Sequence, residues 1–102
     1  MSYKPTQAMA DNAQAGMNMR DKATPSNKGG TSVGLARANQ FIKRENVTLD
    51  TVKRTYSFLK RAEVYYQPGS PTPGTQAYLM WGGNAGLSWA TKILRQEGLI
   101  ND

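Results

Sequence analysis

Seven cationic side chains, Arg37, Lys43, Arg44, Lys53, Arg54, Lys60 and Arg61, fall within 25 residues and are opposed there only by Glu45 and Asp50. That window holds +5 of the formal net charge of +6. Clustered ammonium and guanidinium groups neutralise phosphates and release the counterions condensed on a polyanion. On a helix, Lys53, Ser57, Lys60 and Arg61 share a face, and Arg54 adjoins it. Any soluble helix needs a charged face, so composition alone does not separate a binding stripe from a solvated one. The cluster is therefore the candidate nucleic-acid site, on the condition that its members converge.

Other chemistry has little to work with. The chain has no cysteine and no histidine. Disulfides, zinc fingers, haem ligation and Cys/His catalytic pairs are thereby excluded. The seven carboxylates (Asp11, Asp21, Glu45, Asp50, Glu63, Glu97, Asp102) are scattered, and no two have the spacing of an acid–base dyad. The lysines sit on polar faces, where they are poor nucleophiles. The reading is a non-enzyme with no catalytic residue, no metal ligand and no cofactor.

Aromatic rings are the second resource. Tyr65, Tyr66, Tyr78, Trp81 and Trp89 can stack on unpaired bases. Trp81 and Trp89 have apolar neighbours and read as core, whereas Tyr65 and Tyr66 lie beside a Pro-rich loop and are open to either role. The run Trp81-Gly82-Gly83-Asn84-Ala85-Gly86 lacks the Gly-Lys-Ser/Thr ending of a P-loop. It reads instead as a tight helix–helix corner in which Gly86 allows close approach.

The elements that must position these groups are helical. Thr31 is a plausible N-cap for a helix over 33–44, with Leu35, Ala38, Phe41 and Ile42 inward. Thr48 opens a helix from Leu49 to Glu63, with Asp50 in its first turn. Leu49, Val52, Tyr56 and Leu59 form its apolar stripe. Three of the five prolines fall in 67–74, which predicts an exposed loop. A short helix over Thr75–Trp81 follows, stopped by Gly82-Gly83. Asn84 caps a last helix over Ala85–Glu97, ended by Gly98. No segment alternates strongly enough to demand a strand. The fold class is all-α, a small bundle of three to five short helices.

The N-terminus reads differently. Met9, Ala13 and Met17 are spaced by four, which draws one thin apolar stripe over Thr6–Lys22. Gly16 and several Asn residues weaken that helix in isolation. Only 38% of the 102 residues are apolar, which points to part of the chain being extended. Residues 1–30 are thus expected to be an arm and linker, and residues 31–102 the compact domain. The arm is expected to dock on a partner through Met9, Ala13 and Met17. No apolar run approaches the length of a membrane span, and the first residues have no signal-peptide character.

Three segments, 29–38 (Gly-Gly-Thr-Ser-Val-Gly-Leu-Ala-Arg-Ala), 49–64 and 77–90 (with Trp-Gly-Gly followed by a second Trp), resemble a small domain of tailed phages. That domain occurs free-standing or appended to head-associated proteins such as prohead proteases and head-morphogenesis proteins. The resemblance implies a phage setting, in the virion or the host cytoplasm. Where family members carry His-Glu-Val-Asp-Lys, this chain has Ala62-Glu63-Val64-Tyr65-Tyr66, and Asn84 stands where many carry Asp. What is retained favours binding or structure over catalysis.

The leading expectation is therefore a basic phage protein that contacts nucleic acid in a head-associated complex. The second is a virion structural or decoration protein bound to the capsid through its N-terminal arm. A third is a regulator of a host protein. A homo-oligomer is compatible with each of them, and a membrane partner with none.

Overall fold

Four threonines begin four helices. The hydroxyls of Thr6, Thr31, Thr48 and Thr72 accept the backbone N–H groups of Met9, Gly34, Thr51 and Thr75 at 3.2, 3.2, 3.3 and 3.2 Å. Each thereby satisfies one orphan donor of a helical first turn. In the computed structural model, which describes residues 1–101, these caps open α1 (Gln7–Lys22), α2 (Ser32–Ile42), α3 (Leu49–Ala62) and α4 (Pro73–Met80). The fifth helix, α5 (Gly83–Gln96), starts from Gly82 with no side-chain cap. The fold is all-α, with 3-10 turns at Pro25–Asn27 and Glu63–Tyr65. The one sheet among the described residues pairs two two-residue strands, β1 (Ser2–Tyr3) antiparallel to β2 (Val47–Thr48), with Ser2 opposite Thr48 and Tyr3 opposite Val47.

The N-terminal thirty residues are not an arm. The stripe expected to dock on a partner is filled by the chain's own core: Met9 and Ala13 are 0% exposed, and Met17 packs half-buried against the same cluster. α1 packs most extensively on α4, then on α2 and α5. Small residues make this possible. A Cβ on Gly16 would lie 2.8 Å from the Met80 nitrogen and 2.9 Å from the Gln76 carbonyl oxygen. Gly16 is weak in helix propensity but lets two helix backbones meet, and burial of the face outweighs the propensity. The radius of gyration, 12.8 Å, is what a compact domain of this length has, about 13 Å.

The residues before α1 are sewn down as well. The Trp89 indole Nε1 donates to the Lys4 carbonyl at 3.0 Å, and the Arg44 Nε donates to the Pro5 carbonyl at 2.9 Å. The Tyr3 hydroxyl donates to the Glu97 Oε2 at 2.9 Å. The linker 23–30 is held by Gln76, which is fully buried. Its Oε1 accepts the Gly29 amide at 2.7 Å, and its Nε2 donates to the carbonyls of Asn27 and Pro71 at 3.1 and 3.0 Å.

Two further positions differ from expectation for local reasons. Asn84 is not the cap of α5. It lies inside the helix, and its Oδ1 accepts the Tyr78 hydroxyl at 2.6 Å. Gly82, at φ 104°, makes the turn instead. α4 begins at Pro73, two residues earlier than Thr75, because proline is tolerated at the first helical position.

Candidate nucleic-acid interface

α3 divides cleanly between core and solvent. Val52, Thr55 and Leu59 face inward, while Lys53, Arg54, Ser57, Lys60 and Arg61 are exposed. The inward set fixes the rotation of the helix, and that rotation aims the cations. Lys53, Arg54, Ser57 and Arg61 line a groove of about 380 Å³. Its opposite wall is Val33 of α2, which is 51% exposed. Its base is formed by Phe58 and Trp81, stacked with centroids 4.8 Å apart and planes 19° apart. Gly34 lets α2 approach the indole: a Cβ there would sit 3.2 Å from the Trp81 Nε1.

A second hollow of about 270 Å³ adjoins the first. Phe58 and Arg61 border both, and the two hollows together are called the α3 trough below. Beyond Arg61 the lining becomes apolar and aromatic, with Ala62, Tyr65, Gly74 and Ala77. Tyr65 is 66% exposed. Its neighbour Tyr66 turns inward and stacks on Tyr78, centroids 4.6 Å apart.

The charges in the trough are unevenly engaged. The Arg54 Nε and the Asp50 Oδ2 are 2.8 Å apart, both side chains well exposed. The Arg54 hydrogen bond, then its charge, holds the Asp50 carboxyl below its ordinary pKa, with smaller help from Lys53 and Arg37. Exposed pairs of this kind are weak and exchangeable, so a phosphate can replace Asp50 on Arg54. Among the described residues, no carboxylate lies within ion-pair distance of Lys53 or Arg61.

The seven cations of the sequence cluster do not all meet. Lys53, Arg54 and Arg61 line the trough. Arg37 adjoins its Asp50 end electrostatically, but its Nη1 donates to Gln40 at 3.1 Å, and its buried Nε has no hydrogen-bond partner among the described residues. Lys60 sits beside Glu63 at 3.8 Å. Lys43 is exposed at the end of α2. Arg44 turns away entirely: its backbone is left-handed, φ 52°, and its side chain holds Pro5. Met9, Ala13 and Met17, expected to meet a partner, lie in the core described above.

Val33, Phe58, Gly74 and Ala77 line the site without having stood out in the sequence. A signal for Phe58 was present: Arg54, Phe58 and Arg61 follow an i, i+4, i+7 pattern, which sets a ring inside a cationic stripe. Trp89 is buried as expected. Trp81, 7% exposed, is core on one side and trough on the other. The glycine corner is structural: Gly82 and Gly83 are buried, and the Gly82 carbonyl accepts the Asn12 Nδ2 at 2.9 Å. No three His, Cys, Asp or Glu residues converge among the described residues, and no helix there is long and apolar enough to cross a membrane.

No sequence-family profile matches this chain, and neither a curated protein nor a solved structure matches it.

Proposed function

We propose that this protein is a non-enzymatic nucleic-acid-binding protein whose contact surface is the α3 trough. The observation that carries this reading is the convergence of Lys53, Arg54 and Arg61 on one groove, with two of the three free of carboxylate partners among the described residues. Each cation that replaces a counterion on a phosphate contributes through ion release, and the contribution falls as salt rises. The resemblance of the three sequence segments to a tailed-phage domain supplies the setting, a head-associated complex. Attachment to a capsid through Met9, Ala13 and Met17 would require α1 to leave the core, so the structural-protein alternative loses the feature that motivated it.

Fluorescence anisotropy with a labelled 20-nucleotide probe at 50 and 200 mM salt tests the reading. Three neutralised phosphates give a log–log slope of about −2.1 to −2.7, hence roughly 20- to 40-fold weaker binding at the higher salt. Lys53→Gln and Arg61→Gln should each reduce the slope by about one. Absence of binding at 50 mM, or a variant lacking all three cations that binds as the parent does, would overturn it.

A further inference from the structure

Building on that reading, we propose that the trough takes a single strand, with a base stacked on Tyr65 while Arg61 and Arg54 hold the adjoining phosphates.

The first argument is shape. A helix with its side chains is about 10–12 Å across, and the major groove of B-form DNA is about 12 Å wide. A reading helix must therefore stand clear of its neighbours. α3 does not: Val33 of α2 lines the groove that holds Lys53, Arg54 and Arg61, and Gly74 and Ala77 of α4 line the neighbouring hollow at Arg61 and Tyr65. The cations line a recess, and a flexible single chain can enter a recess that a duplex cannot.

The second argument is the change in lining along the trough. The Lys53 end is cationic, and the Tyr65 end is apolar and aromatic, with Arg61 between them. A single strand needs this pairing of a backbone track with a stacking surface, and a duplex, whose bases are already stacked, has no use for the second part.

The third argument is that the Tyr65 platform is built in advance. Its backbone is clamped by α4: a Cβ on Gly74 would lie 2.9 Å from the Tyr65 Cβ and 3.0 Å from its carbonyl oxygen. The stack of Tyr66 on Tyr78 anchors the next residue. A ring that is exposed while its backbone is held on two sides loses little freedom when a base lands on it.

Anisotropy titrations of the full chain with labelled dT20 and with a 20-base-pair duplex at one ionic strength decide the matter, with Tyr65→Ala and Tyr65→Phe alongside. Tyr65 is exposed, and a thermal melt verifies that both variants fold. Expected are a preference of about tenfold or more for dT20, and a loss of about fivefold or more for Tyr65→Ala on dT20. Tyr65→Phe should retain binding, and the salt slope should not move. Equal or tighter binding of the duplex, or an unchanged Tyr65→Ala, overturns the single-strand inference and leaves the proposed function standing. Binding to neither probe overturns both.

Discussion

The Gly29 amide donates to the Gln76 Oε1 at 2.7 Å, deep in the chain, 47 residues away in sequence. The same side chain's Nε2 reaches the carbonyls of Asn27 and Pro71. One amide thus ties both long connections to α4. Gln76→Leu keeps the volume but strands the Gly29 N–H, and it should cost about 2 kcal/mol in urea unfolding. Gln76→Glu should cost more at neutral pH, because a carboxylate would face two carbonyl oxygens. Part of that loss should return on acidification, as the folded state binds a proton there more tightly than the unfolded chain.

Gly29 and Gly16 are expected to reject alanine. A Cβ on Gly29 would lie 2.2 Å from the Pro73 carbonyl oxygen. At Gly16, alanine should gain up to about 1 kcal/mol in helix propensity. The obstacles there are the backbone atoms of Met80 and Gln76, which cannot rotate away. The clash wins, and each variant should lose about 1–3 kcal/mol. A raised urea midpoint for Gly16→Ala would show that α1 and α4 are not in close contact.

Residues 1–22 are expected to behave as core and not as an appendage. Met9→Ala should lose about 2–5 kcal/mol, the range for emptying a fully buried site of this size. Removal of residues 2–6 should expose the Trp89 indole and shift its fluorescence to the red, since its Nε1 partner is the Lys4 carbonyl. A melt unchanged by either alteration would contradict the packing.

Tyr78 should make the protein sensitive to alkali. Burial, followed by the Glu63 and Tyr66 charges, raises its phenol above the ordinary value of 10.0. The folded state therefore keeps a proton that the unfolded chain releases. The contribution is complete below pH 10 and is lost as pH rises through the folded value. Denaturation midpoints measured from pH 9 upward should fall, and more steeply than those of Tyr78→Phe.

Asp50→Asn should tighten nucleic-acid binding with little change in the melt, because it frees Arg54 and removes a negative charge from the trough. The Asp50 carboxyl is held below its ordinary pKa. The Arg54 pair is thus fully present above the ordinary carboxylate range and is lost only as pH falls through the lowered value. Acidification from neutrality to about pH 5 should therefore leave this pair intact, which a titration of the Asp50 carboxyl by NMR would check.

α3 was legible because two independent signals agreed: the Thr48 cap fixed its start, and the Val52–Leu59 spacing fixed its inner face. The corner at Gly82 was legible because a left-handed turn there needs glycine. α1 was not, because its buried face is Met9, Ala10, Ala13 and Gly16. Small residues like these matter through what they let come close, and the sequence does not say which surface that is. The cationic stripe could be read from its spacing, but its membership could not. Arg44 leaves it through a left-handed backbone at a non-glycine residue, and Lys60 finds Glu63 across the helix end. The Tyr65 end of the trough depends on α4 folding back beside α3, which no local pattern records.

The anchoring of residues 3–5 also bears on how this molecule reaches its native state. Lys4 finds Trp89 across 85 positions, and Tyr3 finds Glu97 across 94. Most helical bundles form through neighbours along the chain and assemble in microseconds to milliseconds. Tyr3 and Pro5 also have nearer partners in Val47 and Arg44, but the contacts of Tyr3 and Lys4 with Glu97 and Trp89 span far more chain and carry the larger ring-closure entropy. Refolding should be slower than helix content alone suggests.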